Sequence, residues 1–142
     1  MIIKSYDFLP AEAKKIREDV FVREQEFKEE FDDIDNNCTH LVMFDREIPV
    51  ATARYFFDKS LNSYVIGRIA VIKAYRGRGM GAEILTAAER EIVKKGGSSA
   101  VLHAQCRAAG FYEKQGYRSF GEIEYEEYCP HYWMKKHLNF DK

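Results

Sequence analysis

Residues 65–81 read VIGRIAVIKAYRGRGMG, and this stretch decides the fold of the chain. An apolar, β-branched run that ends near Ile72 predicts a strand, and three glycines follow on alternate positions from Gly77. From Met80 onwards the apolar residues recur at helical spacing. Glycine lets the backbone approach an anion closely, and the start of a helix offers unpaired N–H groups. The order strand, glycine-rich turn, helix therefore predicts a phosphate-binding loop.

Three kinds of phosphate loop compete for this stretch. A Walker A loop needs Gly-Lys-Ser/Thr at its end, and the sequence has none there. Gly77, Gly79 and Ala82 match a Rossmann fingerprint, but four residues separate the strand from the first glycine and no acid follows to hold a ribose. The frame Arg/Gln-x-x-Gly-x-Gly/Ala is filled by Arg76, Gly79 and Gly81. A glycine-rich surface turn that only caps the helix also stays open.

Composition and charge narrow the class of protein. The 142 residues are 46% hydrophobic and 14% aromatic, which predicts one globular domain over residues 1–142. A net charge of −1 argues against nucleic acid as a partner, and no apolar run is long enough for a membrane span. Cys38, Cys106 and Cys129 lack metal-site spacing, so we expect reduced thiols in a cytoplasmic protein and no metal.

The rest of the chain supplies strands and helices around the loop. Apolar patterning and turn residues predict the order β-α-α-β-β-β-α-β-α-β-β. The helix after the loop is expected to end at Gly96 and Gly97, and Pro130 is expected to break the chain before the last strand. The strand at residues 100–104 should lie parallel and adjacent to the strand before the loop, because a helix joins them.

An acidic segment, residues 24–35, holds seven carboxylates against Lys28 alone. The pattern predicts a short second helix followed by a loop. Such a segment is either a solvated face or a surface that attracts a cationic substrate.

A second motif lies at residues 111–117, which read FYEKQGY. It matches the pattern Phe-Tyr-x-x-x-Gly-Phe/Tyr and, together with the frame from Arg76 to Gly81, resembles the Gcn5-related N-acetyltransferases, the GNAT superfamily. Residues 20–25, 102–105 and 130–134 are similar to the YjcF- and ElaA-like branch of that superfamily. The resemblance covers nearly the whole chain. It implies an α+β fold with a mixed, mostly antiparallel sheet of about seven strands flanked by about four helices.

The resemblance also implies an acetyl-CoA-dependent N-acetyltransferase in which a primary amine attacks the thioester directly. The pantetheine arm of acetyl-CoA would pair with backbone groups of one strand, and its pyrophosphate would lie on the loop. The implied cofactor-binding residues are Ile69, Ala70, Val71, Arg76, Gly77, Arg78, Gly79, Met80 and Gly81.

Catalysis in such an enzyme needs an acid for the departing thiolate and a base for the amine. Tyr112 of the second motif is the implied general acid, and His131, at the start of the last strand, is the first candidate for the base. Glu24 and Glu127 are the alternative carboxylate bases. His103 is interpreted as a satisfied core histidine. Many GNAT enzymes carry an asparagine after the fifth strand, where this chain has Gln105. A covalent route through Cys106 has no base nearby in the sequence.

Two further functions and one assembly stay open at this point. The chain could be a catalytically silent sensor of acyl-CoA, or a Rossmann-type nucleotide-binding protein. The expected partner is a small-molecule or peptide amine. A cationic amine is favoured by the acidic segment together with Glu122, Glu124, Glu126 and Glu127. Edge strands could also pair two copies into a homodimer.

Overall fold

The computed structural model describes residues 1–28 and 30–138. The strands are β1 (Ile2–Tyr6), β2 (Thr39–Asp45), β3 (Ile48–Asp58), β4 (Ser63–Val71), β5 (Ser99–Gln105), β6 (Arg118–Glu126) and β7 (Cys129–His137). The α-helices are α1 (Ala11–Arg17), α2 (Met80–Lys94) and α3 (Ala109–Lys114). No helix in the described part of the chain has the length and apolar character needed to cross a membrane.

The strands form one mixed sheet in the order β1-β2-β3-β4-β5-β7-β6. The pairs β1–β2, β2–β3, β5–β7 and β6–β7 are antiparallel, whereas β4 and β5 run parallel. The α+β fold with seven mostly antiparallel strands is therefore confirmed. The predicted parallel pairing across the glycine loop and its helix is also confirmed.

The described residues form three α-helices where about four were expected. The helical part of the fold differs from the expectation in two places. The first helix continues from α1 as a π-helix, Glu18–Glu24, in which Val20 and Phe21 are buried. The short helix expected in the acidic segment is instead a 3-10 helix, Asp33–Asn37. Aspartate and asparagine favour caps over helix interiors, and Asp32 with Asp35 forms a capping box here. One acid of the segment, Glu29, lies outside the described residues.

The break expected at Pro130 is wrong, because this residue lies inside β7 and pairs with Tyr125 of β6. The pairing of β7 with β5 begins one residue later, at His131 with Gln105. Proline is tolerated near a strand end, where few ladder hydrogen bonds are lost with its missing N–H.

The strand β6 ends the sheet order and is exposed along almost its whole length. Its pairing register with β7 shifts between Phe120 and Glu124, and Gly121 within this shift has a φ of 73°. The shift is a bulge in the edge strand.

The chain divides into two compact units. The first is Met1–Phe56 with Gly67–Ala88, and the second is Phe57–Ile66 with the described part of Glu89–Lys142. The fully buried apolar side chains of the first unit include Leu41, Val42, Met43, Val50, Ala51 and Ile84. Those of the second unit include Ile66, Ile92, Ala100 and Met134. A single domain over residues 1–142 stays a prediction.

Two glycines of the second unit give opposite expectations for the same substitution. A Cβ atom at Gly97 would come within 2.5 Å of Ile92 Cγ2 and 2.9 Å of Tyr64 Cδ2, whereas one at Gly110 of α3 would meet nothing within 4 Å. We expect Gly97→Ala to lower the free energy of unfolding by about 1–3 kcal/mol through overpacking. Gly110→Ala should instead raise it by about 0.5–1 kcal/mol by favouring the helix. Urea denaturation of the two variants checks this, and a neutral Gly97→Ala would contradict the packing described here.

Candidate active site

The glycine-rich loop of the first unit leads from β4 into α2. After the 3-10 turn Lys73–Tyr75, Gly77 and Gly79 have φ values of 79° and 80°, which side chains other than glycine rarely adopt. The first hydrogen bond of α2 runs from the Glu83 N–H to the Gly79 carbonyl at 3.1 Å. The N–H groups just before Glu83 are those that a helix leaves unpaired, so they can bind an anion.

Arg78 is an exposed cation of this loop. Its guanidinium lies 4.9 Å from the ring centre of Tyr75, and the Tyr75 hydroxyl donates a 2.7 Å hydrogen bond to Asp45 Oδ2. The Tyr75 ring orients the guanidinium, and the arginine as a whole is exposed to solvent. Arg78 therefore adds a positioned positive charge next to the open start of α2.

Arg76 is held by other groups of the first unit. Its Nη1 and Nη2 atoms donate to Glu24 at 2.9 and 2.8 Å, and its Nε donates to the Val71 carbonyl at 2.9 Å. Its backbone N–H bonds the Lys73 carbonyl at 3.3 Å. The side chain therefore connects the end of the π-helix to the end of β4.

The course of β4 changes at Arg68, whose φ of 51° lies in the left-handed region inside the strand. Arg68 is anchored by its side chain, with Nε 3.0 Å from Glu30 Oε2 and Nη2 3.4 Å from Asp32 Oδ2. Such contacts can maintain a backbone conformation that is otherwise unfavourable. In the second unit, the parallel ladder of β4 with β5 comprises Tyr64 with Ala100 and Val65 with Val101.

A buried ionic cluster fills part of the first unit. Arg17, only 1% exposed, donates from Nε to Glu30 at 2.8 Å and from Nη1 to Asp35 at 2.8 Å. Arg54 Nη1 donates to Asp32 and to Asp35, both at 2.8 Å. Buried charges are tolerated only when they are paired and hydrogen-bonded in this way.

Two carboxyls of the cluster are shifted in opposite directions. Burial raises the pKa of Glu30 above its usual value in spite of Arg68 and Arg17. Burial also acts to raise the pKa of Asp35, but hydrogen bonds and charges of Arg17 and Arg54 lower it to about 2. Asp35 thus adds stability that is present above pH 3.8 and lost as the pH falls towards 2, whereas acidification relieves the cost of ionised Glu30.

Asp35, Cys38 and His40 place possible metal-ligand atoms within 4.8 Å of one another. The Asp35 carboxylate already accepts from Arg17 and Arg54. The Cys38 thiol donates to the Ile34 carbonyl, and burial raises its pKa to about 11. Two arginines and a protonated thiol disfavour a metal cation here.

The second motif lies in the second unit, on and after α3. Burial raises the pKa of Tyr112 to about 12, so its hydroxyl keeps its proton at neutral pH. Tyr117 is 1% exposed and donates a 2.7 Å hydrogen bond to Glu89, which also accepts from Lys136 at 3.0 Å. The two tyrosines of the motif therefore differ, because only Tyr117 is tied into a buried polar network by its hydroxyl.

The expected base, His131, is 4% exposed, and its Nδ1 lies 3.0 Å from the Cys129 carbonyl. The interpretation of His103 as a satisfied core histidine is wrong. Its Nδ1 bonds Glu126, but its Nε2 has no hydrogen-bond partner among the described residues.

In the segment after β5, the Gln105 side-chain oxygen accepts from Arg107 at 2.7 Å, and Cys106 is half-buried and free.

Sequence reasoning missed the buried ionic cluster. One signal was available, since Ala13, Ile16, Arg17 and Val20 follow the i, i+3, i+4, i+7 spacing of a buried helix face. An arginine on such a face predicts buried acids elsewhere in the chain, and the acidic segment supplies two of them.

Comparisons with known proteins identify the family of this chain. The family description "Acetyltransferase (GNAT) domain" matches residues 7–138. The uncharacterized N-acetyltransferase YjcF of Bacillus subtilis is 37% identical over 124 residues, which are 85% of this chain and 87% of that protein.

Solved structures of acetyltransferases and of ElaA share the fold of this chain. A candidate N-acetyltransferase from Lactobacillus plantarum is 32% identical, with a TM-score of 0.88 over 97% of this chain and 98% of that one. Escherichia coli ElaA is 25% identical, with a TM-score of 0.83 over 96% and 99%. An aminoglycoside 6'-N-acetyltransferase complexed with coenzyme A shares the fold at 16% identity, with a TM-score of 0.78 over 100% and 99%.

Proposed function

Because the chain belongs to the GNAT acetyltransferase family, we propose that it transfers the acetyl group of acetyl-CoA to a primary amine. The observation that carries this proposal is the start of α2, where Gly77 and Gly79 adopt positive φ values and Arg78 adds an exposed charge. The N–H groups of the first helical turn have no partner within the helix. Donors of this kind suit the pyrophosphate of CoA. The bound coenzyme A of the aminoglycoside 6'-N-acetyltransferase supports acetyl-CoA as the donor.

In this proposal the loop residues 76–81 hold the pyrophosphate, and Ile69, Ala70 and Val71 offer backbone groups to the pantetheine arm. The turn of β4 at Arg68, directly before Ile69, supports a change of pairing at this point. The expected role of Arg76 as an outer charge changes, because its Nε donates a hydrogen bond to the Val71 carbonyl. Arg78 is thus better suited than Arg76 to serve as the outer charge.

Acetyl-CoA supplies a thioester whose carbonyl carbon is open to attack by a neutral amine. Tyr112 is the proposed general acid, since burial keeps its hydroxyl protonated at any physiological pH. The group that accepts the amine proton belongs to the second unit, where His131 and His103 lie with their ring centres 4.8 Å apart. We place the reaction in the cytoplasm, which the three free cysteines support.

The alternative is a silent sensor that binds acyl-CoA without turnover. It predicts CoA binding but no thiol release with any amine, and affinity that is indifferent to Tyr112→Phe. Thermal unfolding measured with acetyl-CoA, CoA, NADH and ATP in parallel distinguishes both functions from nucleotide binding. A ligand at 100 times its Kd stabilises the fold by about 2.7 kcal/mol, which raises the unfolding temperature. A homodimer stays open in either case, and sedimentation analysis tests it.

The loop hypothesis gives a prediction for Gly79→Ala. We expect the Kd for acetyl-CoA to rise at least about 10-fold, because a methyl group and the strain of φ 80° both oppose the close approach of a phosphate. Gly96→Ala is the matched control. Gly96 has a φ of 91°, and a Cβ atom there also meets nothing within 4 Å, but it follows the other end of α2. Isothermal titration calorimetry should show weakened binding only for Gly79→Ala, and equal affinities would overturn the assignment of this loop.

A further inference from the structure

A cluster of two histidines and two glutamates lies on one face of the sheet in the second unit. In the ladders, His103 of β5 pairs with Trp133 of β7, and Glu124 of β6 pairs with His131 of β7. Glu126 follows two residues after Glu124 and so lies on the same face of β6. The strand pairing therefore brings three elements together at one cluster.

Within this cluster, His103 is oriented by two neighbours. Its ring stacks on Trp133 at 4.5 Å with an angle of 24° between the planes, and its Nδ1 bonds the Glu126 carboxylate. A carboxylate can only accept, so Nδ1 carries a proton, and in the neutral imidazole Nε2 then holds the lone pair. A ring held in this way presents one defined basic atom.

The basic atom of His103 is Nε2, and it lacks a hydrogen-bond partner among the described residues. Glu124 Oε1 lies 3.6 Å from it, which is beyond hydrogen-bonding distance. The His103 side chain is 16% exposed and that of Glu124 is 60% exposed, so the carboxylate beside Nε2 is itself open to solvent. A donor that carries a positive charge would satisfy both groups at once.

We propose that His103 Nε2 and Glu124 receive the ammonium group of a cationic primary amine, and that His103 takes its proton before acetyl transfer. This inference rests on the proposed function and names the acceptor class and the base for the same reaction. Glu126 orients His103 and balances the charge it gains. His131, whose Nε2 lies 3.9 Å from Glu126 Oε2, is then a positioning residue and not the base.

The proton balance of the reaction is complete with these groups. The ammonium gives one proton to His103 Nε2, and the freed lone pair on nitrogen forms the bond to the carbonyl carbon. The carbon–sulfur bond breaks, Tyr112 gives its proton to the thiolate, and the nitrogen returns a proton to Tyr112. His103 then releases its proton to water. The products are the amide, the thiol of CoA and one proton.

Kinetics with 1,5-diaminopentane as the acceptor provide the first test. His103→Gln should lower kcat/KM at pH 7 by about 10²–10⁴-fold, the range of general base catalysis. The loss should shrink near pH 10, because an alkyl amine with a pKa of about 10 then deprotonates without help. Glu124→Gln should raise the KM for the diamine, with a smaller effect on kcat. His137→Gln, a change of an exposed histidine at the far end of β7, is the control and should leave the rate unchanged.

A second measurement does not depend on turnover. In protein labelled with ¹⁵N-histidine, the Nε2 resonance of His103 is identified as the one that is missing from the spectrum of His103→Gln. Addition of 1,5-diaminopentane should shift this resonance. Loss of this shift in Glu124→Gln would agree with the proposal, whereas no shift at saturating diamine would overturn it. Unchanged kcat/KM and an unchanged pH profile in His103→Gln would also overturn it. Failure to bind acetyl-CoA in calorimetry instead removes the proposed function and leaves the resonance shift as a separate result.

Discussion

Replacing Arg17 with methionine should lower the free energy of unfolding by about 3–5 kcal/mol, the cost of breaking a buried ion pair by removing one partner. The side chain is 1% exposed and donates to Glu30, to the Glu30 carbonyl and to both oxygens of Asp35. Methionine fills much of the volume but donates nothing, so acceptors buried with Arg17 lose their hydrogen bonds. Guanidinium denaturation at pH 7 measures the loss.

The matched control for this variant is Lys15→Met in the same helix. Lys15 Nζ lies 3.4 Å from Asp19 Oδ2, but the lysine side chain is 70% exposed. Exposed pairs of this kind contribute about 0–1 kcal/mol because water and salt screen them. If both variants lose less than about 1 kcal/mol, Arg17 is not the centre of the cluster. In that case the remaining arginines, Arg54 and Arg68, compensate the two acids without it.

Replacing Tyr112 with phenylalanine should lower kcat by about 10²–10³-fold with little change in the affinity for acetyl-CoA. The change removes one hydroxyl and keeps the ring, so it removes the proposed proton donor while packing is retained. Because burial raises the pKa of Tyr112 to about 12, its ionisation does not contribute to the rate profile below about pH 11. The variant and the parent should therefore show parallel pH profiles between pH 6 and 10.

The control for Tyr112→Phe is the same chemical change five residues later, Tyr117→Phe. It leaves Glu89 without the donor at 2.7 Å and should lower stability by about 1–3 kcal/mol, while kcat is maintained. Thiol release with the best amine of a panel and urea denaturation are measured for both variants. If Tyr112→Phe retains full kcat, another group protonates the thiolate. If no amine releases thiol even with the parent protein, the sensor function is favoured.

The fold was predictable because its signals are local. The β-branched run before Ile72 predicts a strand, and the three glycines predict a turn. The apolar spacing from Met80 predicts the helix that follows. The parallel placement of β5 beside β4 then followed from the helix that joins them. The short helix of the second motif was predictable for the same reason, since the residues that form it and Gly116, which ends it, are close together in the sequence.

The site chemistry was harder to predict because it depends on partners far apart in the sequence. Arg54 meets Asp32 across 22 positions, and His103 meets Glu126 across 23. Nothing in the residues around His103 distinguishes a satisfied histidine from one with an unpaired Nε2. The register of β5, β7 and β6 decides this, and the bulge in β6 shifts that register in a way that no local pattern shows.

The same bulge has a consequence for the behaviour of the protein in concentrated solution. An exposed, regular edge strand is a template on which further chains can add, and β6 carries exposed Phe120, Ile123 and Tyr125. The bulge interrupts the row of backbone donors and acceptors that such growth requires. Glu122, Glu124 and Glu126 would also face like charges on an incoming copy. These features oppose open-ended strand addition and fibre formation from an edge that is otherwise uncovered.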